Sequence, residues 1–192
     1  ALNTKKKKRI WLLLKGCTKS SPDVVISKRK AAGGSYLHGM KYDFALMQSM
    51  IEQNADYDLY NTLENMRGLK CETVLKEIKE FGKHAKQKGY EAIHVYYTGH
   101  GEKDTGNWCF SDGVLKFDHV LNAIKSTWGR RNVVLSLDCC YSGNWALQLK
   151  EYCRPSIFMY MPNVWWVSIE SASYPQQTAT DTANGGLFTE YL

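Results

Sequence analysis

Three nearly unbroken apolar runs, each closed by glycine or small polar residues, restrict what this chain can fold into. They read "RIWLLLKGC" (9–17), "EAIHVYYTGHGE" (91–102) and "NVVLSLD" (132–138). The runs are far too short to span a bilayer. They also lack the in–out alternation of a strand with one wet face. Continuous runs of this length, rich in β-branched and aromatic residues, suit parallel strands buried on both faces. A fourth run, "VWWVSIESAS" (164–173), reads as a further strand, and "DYDLYNTL" as a short β-type segment.

Between the runs lie helical patterns. In "MKYDFALMQSMIEQ", Phe44, Met47, Met50 and Ile51 fall on one stripe. In "CETVLKEIKEFGKHAKQKG", Val74, Leu75, Ile78, Phe81 and Ala85 share a face, and Gly89 is a natural stop. "GNWCFSDGVLKF" predicts a hairpin turning at Ser111–Gly113. "DHVLNAIKSTWG" predicts a short helix with Asp118 as its N-cap, and "GGLFTEYL" starts another. Strand and helix therefore alternate, which predicts an α/β fold: a mostly parallel central sheet with helices on both faces.

At 192 residues the chain fits one domain spanning 1–192. Residues 1–8 read as a basic tail and 18–36 as an exposed, Gly-rich polar loop. No secretory signal or membrane segment is visible. Of the formal net charge of +6, part sits in "KKKKR" (5–9); without interleaved aromatics this is a solvated terminus, and it argues against a nucleic-acid partner. Six cysteines, Cys17, Cys71, Cys109, Cys139, Cys140 and Cys153, show neither C-x-x-C nor zinc spacing. They read as reduced thiols of a cytoplasmic protein.

In an open parallel sheet, chemistry gathers beyond the carboxyl ends of the strands. Two such ends carry reactive groups: "TGHGE" places His100 after one run, and "LDCCYSG" places Cys139 and Cys140 after another. A thiol is a good nucleophile only as thiolate, and an imidazole can take or hold its proton. Adjacent strand residues point to opposite faces, so only one of the two thiols can face His100. Glycines around the histidine permit close backbone approach, and Gly101 is placed to turn an amide toward a developing oxyanion.

"VYYTGHGE" followed some forty residues later by "LSLDCCYSG" resembles the caspase/metacaspase superfamily of cysteine peptidases, closest in motif to the metacaspase- and paracaspase-like branch. "LHGMKYDFALMQSMIE" resembles that family's first helix, and "SIESASYPQQTATDTANGGLFTEYL" the strand, loop and helix after its catalytic strand. The resemblance runs from about Arg9 to the end. It implies that Cys140 is the nucleophile, His100 its partner, and the amides of Gly101 and Cys140 the oxyanion hole, with Cys139 a small core residue. No metal or cofactor is needed for that chemistry.

The resemblance also bears on substrate. Members that cut after Arg or Lys hold the basic side chain with carboxylates; Asp138 and Asp43 stand at the matching positions, and two carboxylates would repel an aspartate. The implied partner is thus a protein or peptide with a basic residue before the scissile bond. The family further suggests a homodimer or flanking regulatory domains, and in some members calcium; Asp112 and Asp118 form no convincing ligand cluster, and Leu147 stands where one ligand is expected. The last strand of the family fold has no counterpart before Leu192. Two other readings stay open: a protease that cuts after Asp, and a non-catalytic caspase-like binding or dimerisation module.

Overall fold

The computed structural model describes residues 8–16, 39–63, 69–153, 167–182 and 185–192. The basic tail up to residue 7, the 18–36 loop and residues 154–166 lie outside them.

Five strands form the central sheet: β1 (Arg9–Lys15), β2 (Tyr57–Leu63), β3 (Ala92–Thr98), β6 (Asn132–Asp138) and β7 (Val167–Ser171). Their order is β2-β1-β3-β6-β7, and every pairing is parallel. The three apolar runs are therefore the three inner strands, as continuous hydrophobicity demands. Two small antiparallel pairs complete the strands: β4 (Trp108–Phe110) with β5 (Gly113–Leu115), the expected hairpin, and β8 (Asp181–Thr182) with β9 (Gly185–Gly186).

Helices cover both faces. Ile10, Leu12, Leu14, Val95, Tyr97, Leu135 and Leu137 point to one side. There they meet α2 (Cys71–Lys88), α3 (Phe117–Thr127) and α4 (Gly143–Tyr152) through Val74, Ile78, Phe81, Val120, Ile124 and Trp145. The alternate residues Trp11, Leu13 and Tyr96 meet Phe44, Met47 and Ile51 of α1 (Met40–Gln53). Helix α5 (Leu187–Glu190) joins α1 on this second face, where Tyr96 meets Thr189.

Helix α2 ends at Gly89 as expected, its amide returning to Ala85 and Lys86. Helix α3 begins earlier than its sequence suggests: Lys116 is the N-cap, and Asp118 lies in the first turn. There its carboxylate faces the helix dipole instead of capping amides. The stretch after Cys140 holds a ten-residue helix, α4, anchored by the fully buried Trp145.

Candidate active site

The site grows from the register of β3 with β6. Thr98 and Asp138, the last residues of these strands, are paired. The pairing runs one step further, where the Gly99 amide donates to the Asp138 carbonyl at 3.2 Å. His100 and Cys140 each lie two residues beyond the paired ends, on the loops that leave adjacent strands. Both are half-buried, whereas Cys139 is 1% exposed. Burial, and then Asp138, pushes the Cys139 thiol well above its ordinary range. Cys139 is a core residue, as the family resemblance implies.

Gly101 packs directly on the Cys140 carbonyl. A Cβ there would overlap that oxygen and lie 3.3 Å from Cys139 Sγ. Only glycine lets the two loops meet this closely. On the other loop, Tyr141 follows the cysteine at φ 59°. A non-glycine residue in the left-handed region costs roughly 1–2 kcal/mol, so surrounding contacts must hold it. They come from the segment after β7. The Tyr141 amide donates to Gln177 O at 2.8 Å, the Gly143 amide to Ser173 O at 2.9 Å, and Asn144 Nδ2 to Pro175 O at 2.6 Å. Ser173 Oγ donates to the Cys139 carbonyl at 3.2 Å. Cys140 Sγ points toward Ala179 O, 4.0 Å away.

An aromatic column stands beneath both loops. Tyr97 stacks on Trp108 and Trp108 on Trp145, each at 4.6 Å between centroids. The Tyr97 hydroxyl donates to His100 O at 2.8 Å, Trp108 bridges to Gly101, and Trp145 belongs to the helix that follows Cys140. The column ties the histidine loop to the cysteine loop. Nothing in the linear sequence marks these three rings as one unit, because they lie on three separate elements.

Asp43 and Asp138 are brought together too, on the α1 side of the sheet. They are 2% and 6% exposed. Thr98 Oγ1 donates to Asp43 Oδ2 at 2.9 Å, the Gly186 amide to Asp43 Oδ1 at 2.7 Å, and Thr189 Oγ1 to Asp138 Oδ2 at 2.6 Å. A Cβ on Gly186 would overlap the Asp138 carboxylate. Tyr96 hydrogen-bonds Thr189 at 2.5 Å, and burial, followed by Asp138 and Asp43, holds its hydroxyl well above the ordinary range. The acids thus sit in a ring of their own chain's donors. Thr98, Thr189 and Gly186 were not identified from sequence; two of them come from the C-terminal segment, more than forty residues from either acid.

Asp112 accepts the Cys71 amide at 2.8 Å and Asp118 opens α3. Among the described residues no group of three or more His, Cys, Asp or Glu side chains is arranged to hold a metal. Five described cysteines are free thiols. Burial and Asp112 push the Cys71 thiol up to about 12. No helix among the described residues is long and apolar enough to cross a membrane.

A parallel α/β sheet with a histidine and a cysteine at the carboxyl ends of its two central strands is the architecture of a cysteine-peptidase domain. The caspase domain family model matches residues 24–192, and the chain belongs to that family of cysteine peptidases. Among solved structures, caspase-1 from Spodoptera frugiperda is similar with a TM-score of 0.62 at 14% identity, covering 98% of this chain and 68% of that one. A Geobacter sulfurreducens protein is similar with a TM-score of 0.59 at 20% identity, covering 95% of this chain and 79% of that one. At these identities the likeness concerns the fold. A search of curated proteins finds no match.

Proposed function

We propose that the chain is a cysteine endopeptidase that cleaves after arginine or lysine. The observation that carries this reading is the register of β3 and β6. It pairs Thr98 with Asp138 at the ends of adjacent strands, with Asp43 bonded to Thr98, and His100 and Cys140 each follow two residues on in the sequence.

Cys140 Sγ passes its proton to the His100 imidazole and adds to the scissile carbonyl carbon. The amides of Gly101 and Cys140 hold the oxyanion that develops. His100 then protonates the leaving amine as the C–N bond breaks, leaving a thioester on Cys140. A water molecule gives a proton to His100 and attacks the thioester; the acid leaves and the thiol is restored.

Asp138 and Asp43 select the residue before the scissile bond. Their carboxylates attract a guanidinium or ammonium and repel an aspartate. Because Gly186 and Thr189 now bond these acids, an incoming basic side chain takes over hydrogen bonds that the C-terminal segment makes. Substrate binding and the placement of β9 and α5 are thereby linked.

The test uses fluorogenic peptides ending in Arg, Lys or Asp, with and without calcium, beside Cys140→Ala. Turnover of the Arg and Lys peptides, lost in the variant, is the expected result. Turnover of the Asp peptide alone overturns the pocket assignment. A chain that cleaves none of them is the non-catalytic module instead.

A further inference from the structure

Lys15 is the last residue of β1 and breaks an otherwise apolar run, yet it is only 7% exposed. Its register partner on β3 is Thr98, and the register partner of Thr98 on β6 is Asp138. Lys15, Thr98 and Asp138 therefore form one lateral row across three strand ends, spaced about 4.8 Å per strand. The row lies on the α1 face. Lys15 Nζ is 5.6 Å from the ring centroid of Phe44, the residue that follows Asp43 in the first turn of α1. Asp43 in turn accepts from Thr98, in the middle of the row.

Burying an ammonium is costly unless a negative charge lies close. The register row and the first turn of α1 bring two carboxylates, Asp138 and Asp43, to the same strand ends as Lys15. Tyr96, Thr98 and Thr189 surround them with neutral hydroxyls. We propose that Lys15 is a specificity-determining residue of the pocket: a resident cation that shares the Asp43–Asp138 pair with the incoming basic side chain. This inference rests on the reading of those acids as the substrate pocket.

The consequence is a pocket with one net negative charge where two carboxylates alone would give two. A guanidinium suffers less from that loss than an ammonium, since its planar fork gains geometric bonds to a single carboxylate. A lysine side chain depends on charge density. Lys15 thus tilts the pocket toward arginine.

Two measurements on the Cys140→Ala protein test this without any turnover. The first is a thermal-unfolding cycle with Lys15→Met, Asp43→Asn and both together. Lys15→Met should lower the midpoint by several degrees, and adding Asp43→Asn should recover part of the loss, because the stranded carboxylate is gone. Strictly additive midpoints overturn the inference. The second is calorimetric binding of tetrapeptides ending in Arg or Lys. Lys15→Met should tighten the Lys peptide roughly ten-fold and the Arg peptide about three-fold. Lys15→Gln serves in the same measurements if the Met variant does not fold. Binding of both peptides that is unchanged or weakened by the substitution overturns the role of Lys15 and leaves the basic pocket standing. Failure of both proteins to bind either peptide sinks the basic pocket and this inference with it, even where the unfolding cycle shows coupling.

Discussion

Two histidines six residues apart belong to β3 and to the loop that leaves it, and they sit in different surroundings. His94, within β3, hydrogen-bonds Ser136 Oγ at 2.6 Å, and Ser136 hydrogen-bonds Glu170 of β7. On paper this is a serine, a histidine and an acid in contact. In space Ser136 is fully buried, His94 is 2% exposed, and its ring lies stacked on Trp11 at 3.4 Å. The acid contacts the hydroxyl directly, while His94 Nδ1 is buried with no hydrogen-bond partner among the described residues. Burial, with Arg9 nearby, holds the His94 pKa well below its usual value. Its 3.7 Å approach to Glu170 is therefore one of a carboxylate to a neutral ring. His100, past the end of the same strand, is half-buried, as is Cys140 past the end of β6. The difference teaches that a nucleophile-and-base pair becomes an active site where the sheet stops and the backbone can part. In mid-sheet the same residue types only satisfy one another.

The comparison breaks most visibly at the strand ends. Cys140→Ala or His100→Ala should lower kcat/KM on an Arg peptide by roughly a thousand-fold or more, with a thermal midpoint close to the parent's. Ser136→Ala should leave kcat/KM within about two-fold; a large loss there would move chemistry into the sheet and end the distinction.

The next effect comes from the pocket. Gly186→Ala drives a methyl into the Asp138 carboxylate and should reduce Arg-peptide kcat/KM by about a hundred-fold. Asp138→Asn should do the same by removing charge without added bulk. If the two differ greatly, sterics and charge are separable there.

A smaller effect sharpens the other half of the comparison. Ser136→Ala strands the His94 and Glu170 groups and should cost about 1–3 kcal/mol of stability in urea unfolding, with peptidase kinetics unaltered. The mid-sheet cluster then acts on folding and the strand-end pair on turnover.

The smallest effect is one of pH. His94 stays neutral in the folded chain, whereas in the unfolded chain it protonates near the ordinary histidine value of 6.5. The folded pKa is the lower one, so the unfolded chain binds the extra proton. This contribution to stability is flat above about pH 6.5 and falls as pH drops below it, by at most about 1.4 kcal/mol per unit. Trp11, Ser136, Glu170 and Arg9 face the ring. Urea midpoints between pH 7 and 5 should decline in the parent and decline less in His94→Gln.

Much of the fold was legible because the inner strands are buried on both faces. Such strands must be apolar throughout, and that leaves a mark in the sequence whatever lies next to them. Helix α2 was legible for the same reason: its stripe and its terminal glycine are local. Helix α4 was harder to read, since only Trp145 and Gly143 in it are buried, too few to set a period. The N-terminus of α3 was misplaced because a capping aspartate and a first-turn aspartate look alike in sequence; hydrogen bonding alone tells them apart.

What the sequence determined by itself was the chemistry on offer: a histidine and a cysteine each two residues past an apolar run, a glycine beside the first, and two aspartates on named elements. Strand alternation said only that one of Cys139 and Cys140 could face His100; the family resemblance chose Cys140. The tertiary structure decided which groups are neighbours. Register across three parallel strands put Lys15, Thr98 and Asp138 in one row, and the return of the C-terminal segment laid Gly186 and Thr189 on the acids. The hydrogen bonds made by the two carboxylates join residues from fifty-one to one hundred and forty-three positions apart. No local pattern encodes such pairings, since they follow from how the sheet orders its strands.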